Sequence, residues 1–129
     1  MTAFDDLVTE VMSDAGRFGH REHLHVTWLA LRRFGLPATV AMVSDGLRNT
    51  ARYAGVPQKY HATVSRVWVV LIAHHLAHTP TDDFDVFLDR NPGLFDKHLL
   101  MRFYQPSTLA SDAARTGWVE PDREPLPDA

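Results

Sequence analysis

A chain of 129 residues with 45% apolar and 22% charged side chains has the length of one domain and enough apolar matter to bury a core. Its formal charge of −3 lacks the basic footprint of a nucleic-acid binder. The absence of cysteine excludes disulfide scaffolds, thiolate zinc sites, iron–sulfur clusters and thiol nucleophiles.

The stretch from residue 3 to residue 14 carries Phe4, Leu7, Val8, Val11 and Met12 at helical spacing, and Gly16 and Gly19 then interrupt it. A second helix is expected from about His20 to Phe34, with Leu24, Thr27, Trp28, Leu31 and Phe34 on one side. Gly35 ends it and Pro37 opens the next. That third helix, roughly 37–53, sets Val40, Val43, Leu47 and Ala51 toward a core, and Gly55 and Pro57 close it. The fourth, about 58–78, is the most apolar, with a broad buried face that marks the central helix of a bundle.

Thr81, followed by Asp82 and Asp83, reads as the N-cap of a short helix reaching Leu88 or Asp89. Asn91-Pro92-Gly93 reads as a turn, a sixth helix spans about 94–104, and a seventh about 107–116. After about residue 119 the prolines at 121, 125 and 127 imply an extended strap with a frayed end. No strand-like alternation persists. The expected fold is an all-α bundle of six or seven helices in a single domain. The longest uncharged run, Val67 to Leu76, is about half of the ~20 residues that a membrane span takes. The acidic, amphipathic start is unlike a signal peptide. The expectation is a cytoplasmic protein with no membrane or nucleic-acid partner.

Eight histidines are the main chemical signal. At about 100° per residue, His20 and His23 lie about 60° apart on the core side of the second helix, one turn apart. His25 falls on the opposite, solvated side with Arg21 and Arg32. His61 shares the buried face of the fourth helix with Val64, Ser65, Trp68 and Ile72. Short connections make the second and fourth helices parallel, which gathers His20, His23 and His61 at one mouth. Three imidazoles there suit Fe, Cu or Zn with positions left for substrate. Tyr60 stands beside this mouth. Glu22 projects about 160° from His20, so it approaches only if the helix starts later. The bland alternative is that these rings bond carbonyls or carboxylates and stay neutral at the helix N-termini.

His74, His75 and His78 lie about 21 Å further along the fourth helix, where cationic side chains suit the terminal carbonyls. Arg102 and Tyr104, at the end of the sixth helix, are candidates for binding an anion or substrate.

The segments FGHREHLHVTWLALRR, QKYHATVSRVW, NPGLFDKHLLMRFYQPSTLASDAAR and WVEPD together resemble an uncharacterised group of small, mainly actinobacterial helical proteins. Its F-x-H-x-x-H-L and K-Y-H motifs fall on Phe18, His20, His23, Leu24, Lys59, Tyr60 and His61. The resemblance implies the same three histidines and brings no reaction with it. Two functions follow as expectations. One is a small metal-dependent enzyme, with His20, His23 and His61 as ligands and Tyr60, Glu22 or Arg102 orienting substrate or moving protons. The other is a non-catalytic helical module that binds a small ligand or a partner, a second copy of the chain included, with structural or pH-sensing histidines.

Overall fold

The computed structural model describes residues 2–12 and 18–127. Among them run seven α-helices and no strand: α1 Ala3–Met12, α2 His20–Phe34, α3 Leu36–Tyr53, α4 Ala62–His78, α5 Phe84–Arg90, α6 Pro106–Leu109 and α7 Asp112–Thr116, with 3-10 turns at Pro57–Lys59, Pro92–Phe95 and Lys97–Arg102. The expected end of the first helix and the break at Gly16 lie outside the described residues.

Helix α1 starts on Thr2, whose hydroxyl accepts from the Asp5 amide at 3.1 Å while Asp5 accepts from the Thr2 amide, a reciprocal cap. It lays Phe4, Leu7 and Val11 on Val26 and Ala30 of α2. The Phe4 ring also lies against Gly46 of α3 so closely that a Cβ there would stand 2.4 Å from it. Between α2 and α3 the chain turns on Gly35 alone, at φ +81°, a backbone conformation that glycine adopts without a Cβ clash.

Helix α4 is the axis of the bundle. Seven of its residues are buried, and five of them, Val67, Trp68, Val69, Leu71 and Ile72, pack with Leu24 and Trp28 of α2, Val43 of α3 and Phe87 of α5 into the main cluster. Each fully buried side chain of this size contributes about 1.5–3 kcal/mol.

Several boundaries differ from the sequence reading, and the single helix expected over about 107–116 is two, Pro106–Leu109 and Asp112–Thr116. Helix α4 begins at Ala62 rather than near residue 58, because Pro57–Lys59 closes a separate 3-10 turn and His61 becomes the cap. Helix α5 is capped by Asp83, whose Oδ1 accepts from the Val86 amide, and not by Thr81, whose hydroxyl accepts from the Asp83 amide outside the helix. The expected helix over 94–104 is two 3-10 turns, with Asp96 accepting from the His98 amide between them. A short polar side chain that bonds the following backbone competes with helix continuation.

The strap after residue 117 is tied down. Thr63 of α4 donates to the Gly117 carbonyl at 2.7 Å and accepts from the Val119 amide. The Arg66 guanidinium lies 4.5 Å over the Trp118 ring. Tyr104 donates to the Val119 carbonyl at 2.7 Å, and the amides of Asp122 and Arg123 reach the Phe103 carbonyl. Glu124 and Pro127 then meet His74 and His75 around one small cavity. The strap thus follows α4 from its first turn to its last.

Candidate functional site

The first turns of α2 and α4 meet at one end of the bundle, as the parallel arrangement requires. His23 and His61 line the same cavity there, with Tyr60 and Lys59 at its rim. His20 packs its ring edge-on against Trp68 with centroids 4.9 Å apart, and Trp68 lines that cavity. The cavity has a volume of about 500 Å³, and its remaining walls are mainly apolar, with Phe18, Leu47, Val56 and Val64 among them.

The three histidines meet different partners. The His61 Nδ1 accepts from the Val64 amide at 3.1 Å, so this nitrogen carries the lone pair and Nε2 carries the proton, which it donates to the Leu109 carbonyl at 2.7 Å. Both ring nitrogens are thereby engaged. His20 bonds the Leu94 carbonyl through Nε2 at 2.8 Å. A carbonyl only accepts, so His20 is the donor. His23 makes no side-chain bond, and its buried Nε2 has no hydrogen-bond partner. Burial, reinforced by the nearby charge of His20, pushes its pKa down from 6.5 to about 4, so the ring is neutral at physiological pH.

The expected metal set is therefore not assembled. Among the described residues no three His, Asp or Glu side chains are grouped so as to hold an ion. His61 could ligate only by giving up its cap or its carbonyl. The physical reason is the boundary of α4: the ring that a longer helix would aim at its neighbours instead folds back onto its own first turn.

The remaining expected site residues separate. The Glu22 carboxylate accepts from the Gly19 amide at 2.9 Å and lines a different cavity, of about 610 Å³, on the other side of α2. Arg102 pairs with Glu124 at 2.8 Å and borders the small cavity beside His74 and His75. Tyr60 alone of the three stays at the histidine mouth, its ring under the Arg48 guanidinium at 5.3 Å.

His25 corrects the sequence reading. It is partly buried and stacks on Phe84 with centroids 4.0 Å apart and planes within 3°, and burial lowers its pKa. Arg21, from the same face, pairs with Asp85. At the far end of α4, His75 donates through Nδ1 to Asn91, whose amide nitrogen donates in turn to the Phe87 carbonyl. His78 donates to the His74 carbonyl at 2.9 Å.

Ser65 is the site residue that sequence reasoning passed over. It is 6% exposed and it lines the cavity. The available signal was a small hydroxyl at a buried position between Val64 and Trp68, where an apolar residue would pack better. Compared with known proteins, the chain matches no family model, no curated protein and no solved structure.

Proposed function

We propose that the protein is a small-molecule-binding helical module whose ligand occupies the cavity between the first turns of α2 and α4. The observation that carries this reading is the buried Nε2 of His23, which has no hydrogen-bond partner, on a residue that lines a largely apolar cavity together with the Ser65 hydroxyl. A buried polar group left unpaired costs about 1–3 kcal/mol, and such a group in a native fold calls for an explanation. An apolar pocket of several hundred Å³ with a few convergent polar groups is the usual form of a small-ligand site.

Binding fits better than proton-transfer catalysis. A ring whose pKa is about 4 is a weak base at neutral pH, whereas a general base works best near the operating pH. The metal-dependent reading would draw on His20 and His23 and would cost His61 one of its two bonds. An organic ligand needs no such loss.

The reading is tested by a thermal-shift screen of aromatic small molecules against the native protein, His23→Leu and Ser65→Ala. His23→Leu should fold and gain about 1 kcal/mol at pH 7.5, because the unpaired nitrogen is gone. It should also lose the stabilisation that ligands give the native chain. A destabilised His23→Leu that keeps its ligand responses would sink the proposal.

A further inference from the structure

We infer that the occupant of this cavity is a singly charged organic anion, a carboxylate carried on an apolar ring body; the inference rests on the ligand-binding reading above. Its first support is charge. The chain has 16 acidic side chains against 13 Lys and Arg, yet among the described residues no carboxylate lines this cavity, and Lys59 is the one fully charged side chain that does. The cavity on the other side of α2 is instead rich in acids, with Glu10, Glu22, Asp82, Asp83 and Asp85 beside Arg21 and Arg32. Among the described residues a cationic ligand would find no carboxylate at the His23–Ser65 cavity to pair with.

The second support is backbone. The first turns of α2, a helix of 15 residues, and α4, one of 17 residues, both border the space, and each brings the positive end of its dipole there. The first turn of α4 holds no acidic residue. The acid of α2's first turn, Glu22, lies on the opposite wall with its carboxylate held by the Gly19 amide.

The Ser65 hydroxyl is an independent observation. Buried to all but 6% and lining the cavity, it offers an O–H to a carboxylate oxygen, and bonds to an ionised acceptor are the strong ones. His23, held neutral, adds a second hydrogen-bonding group. Phe18, Leu47, Val56, Val64 and Trp68 are left for the ligand body. A small inorganic anion would leave those walls in water, so the head group must be carried on something apolar. One lysine matches one charge, and a volume of about 500 Å³ admits a bicyclic ring.

The test uses three probes with one body and different heads: 2-naphthoate, 2-naphthylmethanol and 2-naphthylmethylammonium, titrated calorimetrically into the full chain at pH 7.5. The naphthoate should bind at least about tenfold more tightly than the alcohol, with the ammonium weakest. Lys59→Gln should shrink the naphthoate-to-alcohol ratio by about threefold to fivefold, the scale of an exposed charge. A ratio near one, or one that Lys59→Gln leaves untouched, overturns the anion assignment while the alcohol's binding keeps the cavity reading. No binding by any of the three, up to millimolar concentration, removes the cavity reading and the anion with it.

Discussion

Thr63 and Ser65 stand two residues apart on α4, both hydroxyl side chains and both buried, at 0% and 6% exposure. Thr63 faces the strap and is used twice, donating to Gly117 and accepting from Val119. Ser65 faces the cavity instead. The same contrast extends outward from each. Around Thr63, the Tyr104 hydroxyl, the Asp122 carboxylate and the Arg66 guanidinium all have partners in or from the strap. Around Ser65, the buried His23 nitrogen has none. One side of α4 spends its polar groups on architecture, and the other turns Ser65 toward a cavity that the unpaired His23 also lines. That difference separates what keeps the chain folded from what the fold presents to a ligand.

The largest expected effect comes from the cavity side. The unfolded chain carries His23 near the ordinary pKa of 6.5, while the folded ring titrates at about 4. Between those values the unfolded state binds the proton that the folded state refuses, so stability is full above pH 6.5 and falls as the pH drops toward 4. A shift of this size corresponds to about 3 kcal/mol at the acid end of the window. His25 and His75, whose pKa values burial also lowers, add losses of the same sign. The difference between native and His23→Leu denaturation curves across pH 4–7 isolates the share of His23. Parallel curves would mean that His23 is solvated and would dissolve the contrast.

Next in size is the hydroxyl pair itself. Thr63→Val keeps the shape and strands the Gly117 carbonyl and the Val119 amide, which should cost about 1–3 kcal/mol. Ser65→Ala removes a hydroxyl that faces the cavity and should change stability by less than about 0.5 kcal/mol. Urea denaturation of both variants at pH 7.5 decides the matter, and equal losses would place Ser65 among the architectural groups.

Much of the architecture was legible because local signals agreed with one another. Helix α2 has the expected limits since glycine stands at each end and the apolar spacing between them is uninterrupted. Helix α4 was recognisable as the axis from its broad apolar face, but not where it begins. Histidine is outside the usual set of capping residues, and nothing in Lys59-Tyr60-His61 announces a ring that turns back to its own helix. The gathering of His23, Tyr60 and His61 at one cavity could be reasoned from loop lengths. The partners of the rings could not. His20 bonds a carbonyl 74 positions away and His61 one 48 positions away, and no periodicity carries information over such separations. The strap was expected as a loose tail because its prolines forbid a helix, while its anchors, Thr63 and Tyr104, lie in elements that only the folded chain brings alongside.

The smallest expected effect concerns His61, which borders the cavity yet behaves like Thr63. Its ring caps α4 at Val64 and holds Leu109, so His61→Ala should lose about 1–2 kcal/mol, the scale of an N-cap joined to one further bond. Asn is among the best capping residues but is too short to span from α4 to Leu109, so His61→Asn should recover roughly half of that loss. Thermal denaturation of the three proteins orders them as native, Asn, Ala if the ring is architectural. The same series run with added Zn²⁺ separates the two functions read from the sequence. An architectural His61 leaves the order and the spacing unchanged by the ion. A ligating His61 would instead give the native chain a zinc-dependent rise in Tm that neither variant shares, which would move His61 to the functional side of α4.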